Sequence, residues 1–359
     1  MSKEIRDILS ALRLERGRPC ALATVVRAEG SSYRKTGARM LVTSTGGIAA
    51  GCVSGGCLEA DVVERACAVI ESGIAVVARY DTRFDESEIV FGWGTGCSGL
   101  IEVLIEPIDL GNVSLMLPEI ADERRQDFVL MTFYGPDVPE RVLIDVDGRI
   151  AGGHRTALVS TELIALAQET IRSERSQTAN LPGTSVSVCL EYLAPIRSLI
   201  IYGSGPDAGA LADLARHVGW SVTVADHRAV SPERFPADRC VTCHPEFLAD
   251  HVVMDRQTAL VIMSHNYMVD RELLCSLAES PLRYIGLLGS RSRALRLRED
   301  LESSEDRKTL DRLAGKLHAP IGLDIGASTP QMIALSIVAE IEAIYSKPVS
   351  QSLCSTQSA

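Results

Sequence analysis

The sequence predicts an α/β protein of two domains: a mixed sheet-and-helix domain over residues 1–190, then a doubly wound parallel sheet over 195–347. Three observations predict it. The chain has 359 residues, well past the roughly 250 at which single hydrophobic cores stop growing. Its first hundred residues alternate short β-rich runs with turns around one helical stretch, whereas from Ile196 onward strand, glycine turn, helix and strand follow one another. Between the two patterns lies "SERSQTANLPGTS" (173–185), a polar run containing Pro182 and Gly183 that reads as a surface loop or linker.

The elements follow in order. "MSKEIRDILSALRLERG" places Ile5, Ile8, Leu9 and Leu12 at helical spacing. It lacks the basic start and unbroken apolar core of a secretory signal, so a folded first helix and a cytoplasmic protein are expected. No run approaches the ~18 apolar residues of a membrane span. Strands are predicted at 20–26, 38–43, 46–51 and 100–107, with a helix from Gly56 to Gly73. Further strands are predicted at 128–134 and across "RVLIDVDGRI" (141–150), where Asp147-Gly148 marks a hairpin turn, followed by a helix at 161–172. No internal repeat is apparent. In the second half, "ALVIMS" (259–264) and "YIGLLG" (284–289) are strands separated by helices. The last helix, 330–346, opens with Pro330 behind Thr329 as its cap.

Composition narrows the function. With 46% hydrophobic and 23% charged residues the chain is an ordinary globular protein. A net charge of −11 argues against a nucleic-acid partner, which requires a basic face to displace counterions. Ten cysteines without secretory context are expected to be free thiols.

The chemistry gathers in a few places. Gly203, Gly205 and Ala208 form G-x-G-x-x-A between a strand and a helix, and Asp226 ends the next strand at the spacing of a dinucleotide fingerprint. The glycines admit a pyrophosphate to the helix N-terminus, and Asp226 is expected to hold a ribose hydroxyl. The alternative is a Rossmann-like domain whose nucleotide site is unused. Ser290, Arg291 and Arg293 open a helix after a strand, where arginine forks onto a phosphate or carboxylate, or else forms a solvated basic face with Glu299 and Asp300. His265 and Asp270, at the end of another strand, are candidate catalytic groups, with a hydrogen-bonded structural histidine as the alternative. Cys240-Val241-Thr242-Cys243-His244 matches the C-x-x-C-H haem pattern, but lies where a third parallel strand belongs and has no export context.

In "GCVSGGC" (51–57), Cys57 sits at a helix N-terminus, where the macrodipole stabilises a thiolate. Gly55 and Gly56 leave amides open to an oxyanion. Cys97, in "GWGTGCSG", is a second glycine-lined thiol. If brought together, Cys57 and Cys97 make a soft site for a thiophilic metal or a sulfur-bearing cofactor. Zinc is a poor fit without a paired C-x-x-C set. Cys20 and Cys67 read as core packing, and Cys52 faces either the site or the core.

The runs "GSSYRKTGARMLVTSTGGIAAGCVSGGCLEADVVERA", "YDTRFDESEIVFGWGTGCSGLIEVLIEP" and "LHAPIGLDIGASTPQMIALSIVAEI" resemble the XdhC/CoxI family of xanthine dehydrogenase accessory proteins. The resemblance implies an N-terminal XdhC/CoxI domain followed by a Rossmann domain. It implies a maturation factor rather than a catalyst, one that binds molybdenum cofactor (molybdopterin) and assists its sulfuration with a cysteine desulfurase. The cofactor then passes to a molybdenum hydroxylase such as xanthine dehydrogenase. It also implies that Cys57, with Glu59 beside it, and Cys97 contact the cofactor. Arg39 belongs to the same motif, serving a phosphate or forming a buried ion pair. One departure is Ser264-His265-Asn266-Tyr267, where family members often carry T-H-D-H, which weakens a catalytic role for His265. NAD(P) or another nucleotide is expected in the Rossmann domain, and a homodimer would shield the carried cofactor. The competing reading is an NAD(P)-dependent oxidoreductase working from the Rossmann domain; a third is an inert scaffold.

Overall fold

The computed structural model describes residues 3–15, 17–30, 33–81, 99–108, 117–136, 138–153, 157–303 and 307–346. The chain divides into two compact units, Met1–Pro195 and Ile196–Ala359.

In the first unit, helix α1 (Lys3–Leu14) buries Ile5, Ile8, Leu9 and Leu12, the stripe its spacing predicts. There follow β1 (Cys20–Gly30), β2 (Arg39–Thr43), β3 (Ile48–Gly51), α2 (Glu59–Ser72), β4 (Val76–Asp81) and β5 (Gly99–Ile108). These strands form an antiparallel sheet in the order β3-β2-β1-β5-β4. After α3 (Leu117–Arg124) come β6 (Phe128–Gly135), β7 (Val138–Asp145), β8 (Ile150–Gly153), α4 (Thr161–Ser173), β9 (Gln177–Asn180) and β10 (Ser187–Leu193). Their order is β8-β7-β6-β10-β9. The wiring is the same.

The register repeats too. Thr24 faces Arg39 as Thr132 faces Arg141, Met40 faces Gly51 as Val142 faces Gly153, and Leu22 faces Glu106 as Leu130 faces Glu191. Gly51 and Gly153 both have positive φ, and a Cβ on either would meet the carbonyl of Arg39 or Arg141 at 2.1 or 2.3 Å. The first unit is therefore an internal structural duplication, which corrects the expectation of no repeat. Apolar positions in a sheet core accept many side chains of similar volume, so the repeat persists only where charge or backbone conformation demands one residue.

The two sheets stack face to face. Leu22, Leu41, Phe128, Leu130, Leu143 and Leu193 meet between them, while α2 covers the outer face of the first sheet and α4 that of the second. With both faces covered, Cys20–Val26 is buried without alternation. Two ion pairs cross the layer. Arg39 donates from Nη1 to Glu191 Oε1 at 2.9 Å and from Nη2 to Oε2 at 2.5 Å, and Arg141 binds Glu106 in the same bidentate way. Of the stretch expected as a surface loop or linker, residues 177–180 instead form β9, a polar edge strand paired with β10, and the residues after it are its turn. An edge strand with little burial carries no apolar alternation to read.

The second unit holds β11 (Ser198–Tyr202), α5 (Pro206–His217), β12 (Ser221–Asp226), β13 (Arg239–Thr242), α6 (Leu248–His251), β14 (Thr258–Ile262), α7 (Tyr267–Ser276), β15 (Tyr284–Leu287), α8 (Arg291–Ser303), α9 (Arg307–Leu313), β16 (Leu317–His318) and α10 (Pro330–Ser346). All six strands are parallel, in the order β13-β12-β11-β14-β15-β16. This is the Rossmann-like doubly wound sheet, with α5 and α10 on one face and α7 and α8 on the other. As predicted, the Met332 amide donates to Thr329 Oγ1 at 3.3 Å at the start of α10. Chain direction across the sheet reverses between β11 and β14, where such folds open their ligand crevice.

Removing one partner of a buried pair strands the other charge. Arg39→Met is expected to cost about 3–5 kcal/mol in urea denaturation, with most of it recovered when Glu191→Leu is added. A single variant as stable as the parent would contradict the bridging role.

Candidate functional site

The thiol loop of the first unit is closed by a clasp. Ser54, 4% exposed, accepts at Oγ from the amides of Gly56 and Leu58, each at 3.1 Å. Glu59, the first residue of α2, answers by accepting from the Ser54 amide at 2.8 Å and from its hydroxyl. This reciprocity follows the logic of a capping box, and Leu58, at the cap position, contributes no side-chain bond. Burial raises the Glu59 carboxyl's pKa, but the bonds from Ser54 outweigh it and hold the group below its ordinary value.

Val53 and Leu58 are buried and pin the loop to the core, while Gly55 and Gly56 are exposed and Cys52 and Cys57 half-buried. The helix starts at Glu59, later than predicted, because Gly56 has a φ of +112°, outside helical space. Cys57 therefore stands just before the cap. One of the amides the sequence offered to an anion, that of Gly56, is taken by Ser54, as is the amide of Leu58. A Cβ at Gly56 would meet nothing within 4 Å. At Gly55 it would stand 3.5 Å from the ring of Tyr33, which is 73% exposed. Arg34 binds Glu4, and burial works against its charge while Glu4 and the nearby Cys52 thiol raise its pKa above the ordinary value. Tyr33 and Arg34 are thus neighbours of the thiol loop that sequence reasoning did not single out, although both stand in the quoted "GSSYRKTGARM" run.

Cys97 lies outside the described residues. Among the described residues no group of three or more His, Cys, Asp or Glu side chains is placed to hold a metal. Arg39 resolves into the buried pair with Glu191. Cys20 is buried, and burial raises its thiol pKa.

In the second unit the fingerprint forms a tight turn. Gly203 has a φ of +132°, and a Cβ there would lie 2.3 Å from the Met263 carbonyl. Gly205 caps α5, Pro206 opens it, and Ala208 is buried against the sheet. Asp226, 1% exposed, turns inward. Its Oδ2 accepts from the Ser204 amide at 2.8 Å, the Ser204 hydroxyl at 2.7 Å and Arg228 Nη2 at 2.7 Å. Its Oδ1 accepts from the Arg228 amide at 2.9 Å and Nε at 3.1 Å. Burial raises its pKa, and the bonds from Arg228 and Ser204 overcome that and depress it well below the ordinary carboxylate value.

His265 follows β14 with a φ of +57°, a left-handed conformation that a histidine adopts at a cost. Its ring lies 3.7 Å from where a Cβ of Gly205 would stand. Asp270, also 1% exposed, accepts from Ser264 and, at 2.5 Å, from Arg293 Nη2. Arg293 is therefore joined to Asp270 rather than to Glu299 or Asp300, while Ser290 and Arg291 stand exposed at the start of α8. Cys240 lies on β13 as the third strand, and burial raises the thiol pKa of both Cys240 and Cys243.

Similarity to known proteins extends over nearly the whole chain. Residues 13–81 match the model of the XdhC and CoxI family, and residues 199–341 match the XdhC Rossmann domain. A Bacillus subtilis protein named as a probable xanthine dehydrogenase subunit is 33% identical over 350 residues, 93% of this chain and 95% of that one. The chain belongs to the XdhC and CoxI family. Among other XdhC and CoxI relatives, the "Molybdenum cofactor insertion chaperone PaoD" of Escherichia coli is 26% identical over 329 residues, covering 91% of this chain and 84% of that one. A crystal structure described as a xanthine dehydrogenase from Bacillus halodurans superposes with a TM-score of 0.75 at 29% identity, covering 99% of both chains. Among the described residues no helix is long and apolar enough to cross a membrane.

The Asp226 network makes a pH prediction. A carboxylate with a depressed folded pKa contributes stability above its unfolded value of ~3.9, and loses it as pH falls through the folded value. Asp226→Asn is expected to destabilise the second unit at pH 7 in thermal denaturation, by a margin that shrinks on acidification below pH ~4. A margin that widens in acid would contradict the network.

Proposed function

We propose that this chain is an accessory chaperone that binds molybdenum cofactor as cargo, assists its sulfuration and inserts it into a molybdenum hydroxylase such as xanthine dehydrogenase. The observation that carries the reading is the clasped loop: Ser54 and Glu59 hold half-buried Cys57 beside the open face of Gly56, with Tyr33 and Arg34 alongside. That set suits the cargo. A half-buried thiol is a soft ligand for molybdenum, an exposed tyrosine ring offers a face to a pterin, and an arginine offers charge to a phosphate. The names of the Escherichia coli and Bacillus subtilis relatives support the same reading.

The proposal assigns Cys57 and Cys97 to the cofactor, with Gly55 and Gly56 beside Cys57. A cysteine desulfurase is the sulfur source, and a homodimer shields the cargo. In the second unit Gly203, Gly205 and Ala208 form the turn for NAD(P) or another nucleotide, with Asp226, Arg291 and Arg293 around it. Maturation factor, cytoplasmic protein and non-catalyst are parts of the same reading. One observation favours the competing oxidoreductase reading: strained His265 beside Gly205. His265→Ala separates the two, since a maturation factor keeps its cofactor loading without that ring.

The test is molybdenum and pterin content after anaerobic exposure to molybdenum cofactor, in the parent and in Cys57→Ala. Near-stoichiometric loading of the parent and a drop of about tenfold or more in the variant are expected if the thiol ligates the metal. No loading of the parent, with a control acceptor loaded in parallel, would sink the chaperone reading. Equal loading of both would move the cargo away from Cys57.

A further inference from the structure

The fingerprint of the second unit ends in an acidic residue, which in such folds ordinarily accepts from the 2′- and 3′-hydroxyls of a nucleotide ribose. Asp226 is not free to do so. A carboxylate has about four acceptor sites, and those of Asp226 face five donors from Ser204 and Arg228, with His227 Nδ1 a further 3.1 Å from Oδ1. The group is 1% exposed. A ribose hydroxyl would have to displace an internal donor to reach it.

What the strand end shows to solvent is a cation. The Arg228 side chain is 59% exposed, and its bonds to Asp226 use one Nε and one Nη2 hydrogen, leaving three of the five guanidinium donors for a ligand. Because Asp226 also holds Ser204, which stands between the two fingerprint glycines, the guanidinium is tied to the phosphate turn through one carboxylate. Beside it, His227 and His244 close the ends of β12 and β13 with ring centroids 6.4 Å apart. They offer flat faces on which a purine can stack.

We propose that the second unit selects a nucleotide whose adenosine ribose carries a phosphate monoester, with Arg228 as the specificity-determining residue. The inference rests on the reading of this unit as nucleotide-binding. Two sources present that chemistry, the 2′-phosphate of NADP(H) and the 3′-phosphate of coenzyme A. Arg228 forks onto the phosphate while Asp226 fixes the guanidinium plane, and NAD(H), lacking the phosphate, gives up that charge-assisted contact.

The experiment is calorimetric titration of the full chain with NADP⁺, coenzyme A and NAD⁺ at low salt. At least one phosphorylated ligand is expected to bind about tenfold or more tightly than NAD⁺, the scale of a hydrogen-bonded charge pair. The tighter of the two identifies the source. Arg228→Gln is expected to abolish the preference, bringing the affinity for the phosphorylated ligand to within about twofold of that for NAD⁺ in the same variant. Should that variant fail to fold, Arg228→Lys retains the charge without the fork and is expected to narrow the preference. NAD⁺ binding as tightly as both phosphorylated ligands, or a preference untouched by both substitutions, overturns the inference and leaves the nucleotide reading standing. No binding of any of the three overturns both. Cofactor loading at Cys57 is read separately and does not depend on either result.

Discussion

Two buried arginine–glutamate pairs cross the space between the sheets of the first unit, and the architecture there depends on them. Arg39 reaches from the first sheet to Glu191 of the second, and Arg141 reaches back from the second to Glu106 of the first. Each pair is bidentate and nearly sealed from water, so neither charge tolerates the loss of its partner. Hydrophobic side chains alone would let two stacked sheets slide or rotate, since apolar contact has little direction. The two forks fix their registry, and their duplication makes the constraint reciprocal.

The thiol loop inherits that rigidity. Its upstream anchor is Gly51 on β3, paired with Met40, the neighbour of Arg39, and its downstream anchor is α2, packed on the outer face of the same sheet. Between these anchors the Ser54–Glu59 clasp uses local donors to hold a short glycine-rich turn without a conventional side-chain cap. Glycine supplies the backbone conformation at Gly56, and buried Val53 and Leu58 keep the turn seated. The result is a half-buried thiol, packed at the edge of the core that α2 covers, on a turn whose geometry is tightly tied.

In the second unit the strand ends are governed by inward-facing carboxylates. Asp226 and Asp270 are both almost fully buried and each binds an arginine and a serine. Each therefore works as an organiser of its neighbours, and the groups left to meet a ligand are the arginines and His265. At the end of β12 the exposed group is a guanidinium, where the fingerprint alone suggests an acceptor.

Local signals made much of this legible. The stripe of α1, the Asp147-Gly148 turn, the Thr329–Pro330 helix start, the parallel strands and the G-x-G-x-x-A turn are each written within a few residues, so the sequence by itself determined the α/β class and the placement of Gly203 and Gly205, whereas Cys57 fell before the helix rather than at its start because Gly56 leaves helical space. The polar edge strand β9 escaped because it buries too little to impose alternation. The duplication escaped because apolar positions drifted around a handful of retained residues. The partner of Arg39 lies 152 positions away, and the donors around Asp226 come from two separate turns. Only the tertiary structure decided those pairings, because a charged side chain satisfies itself with whatever group the folded backbone brings within reach.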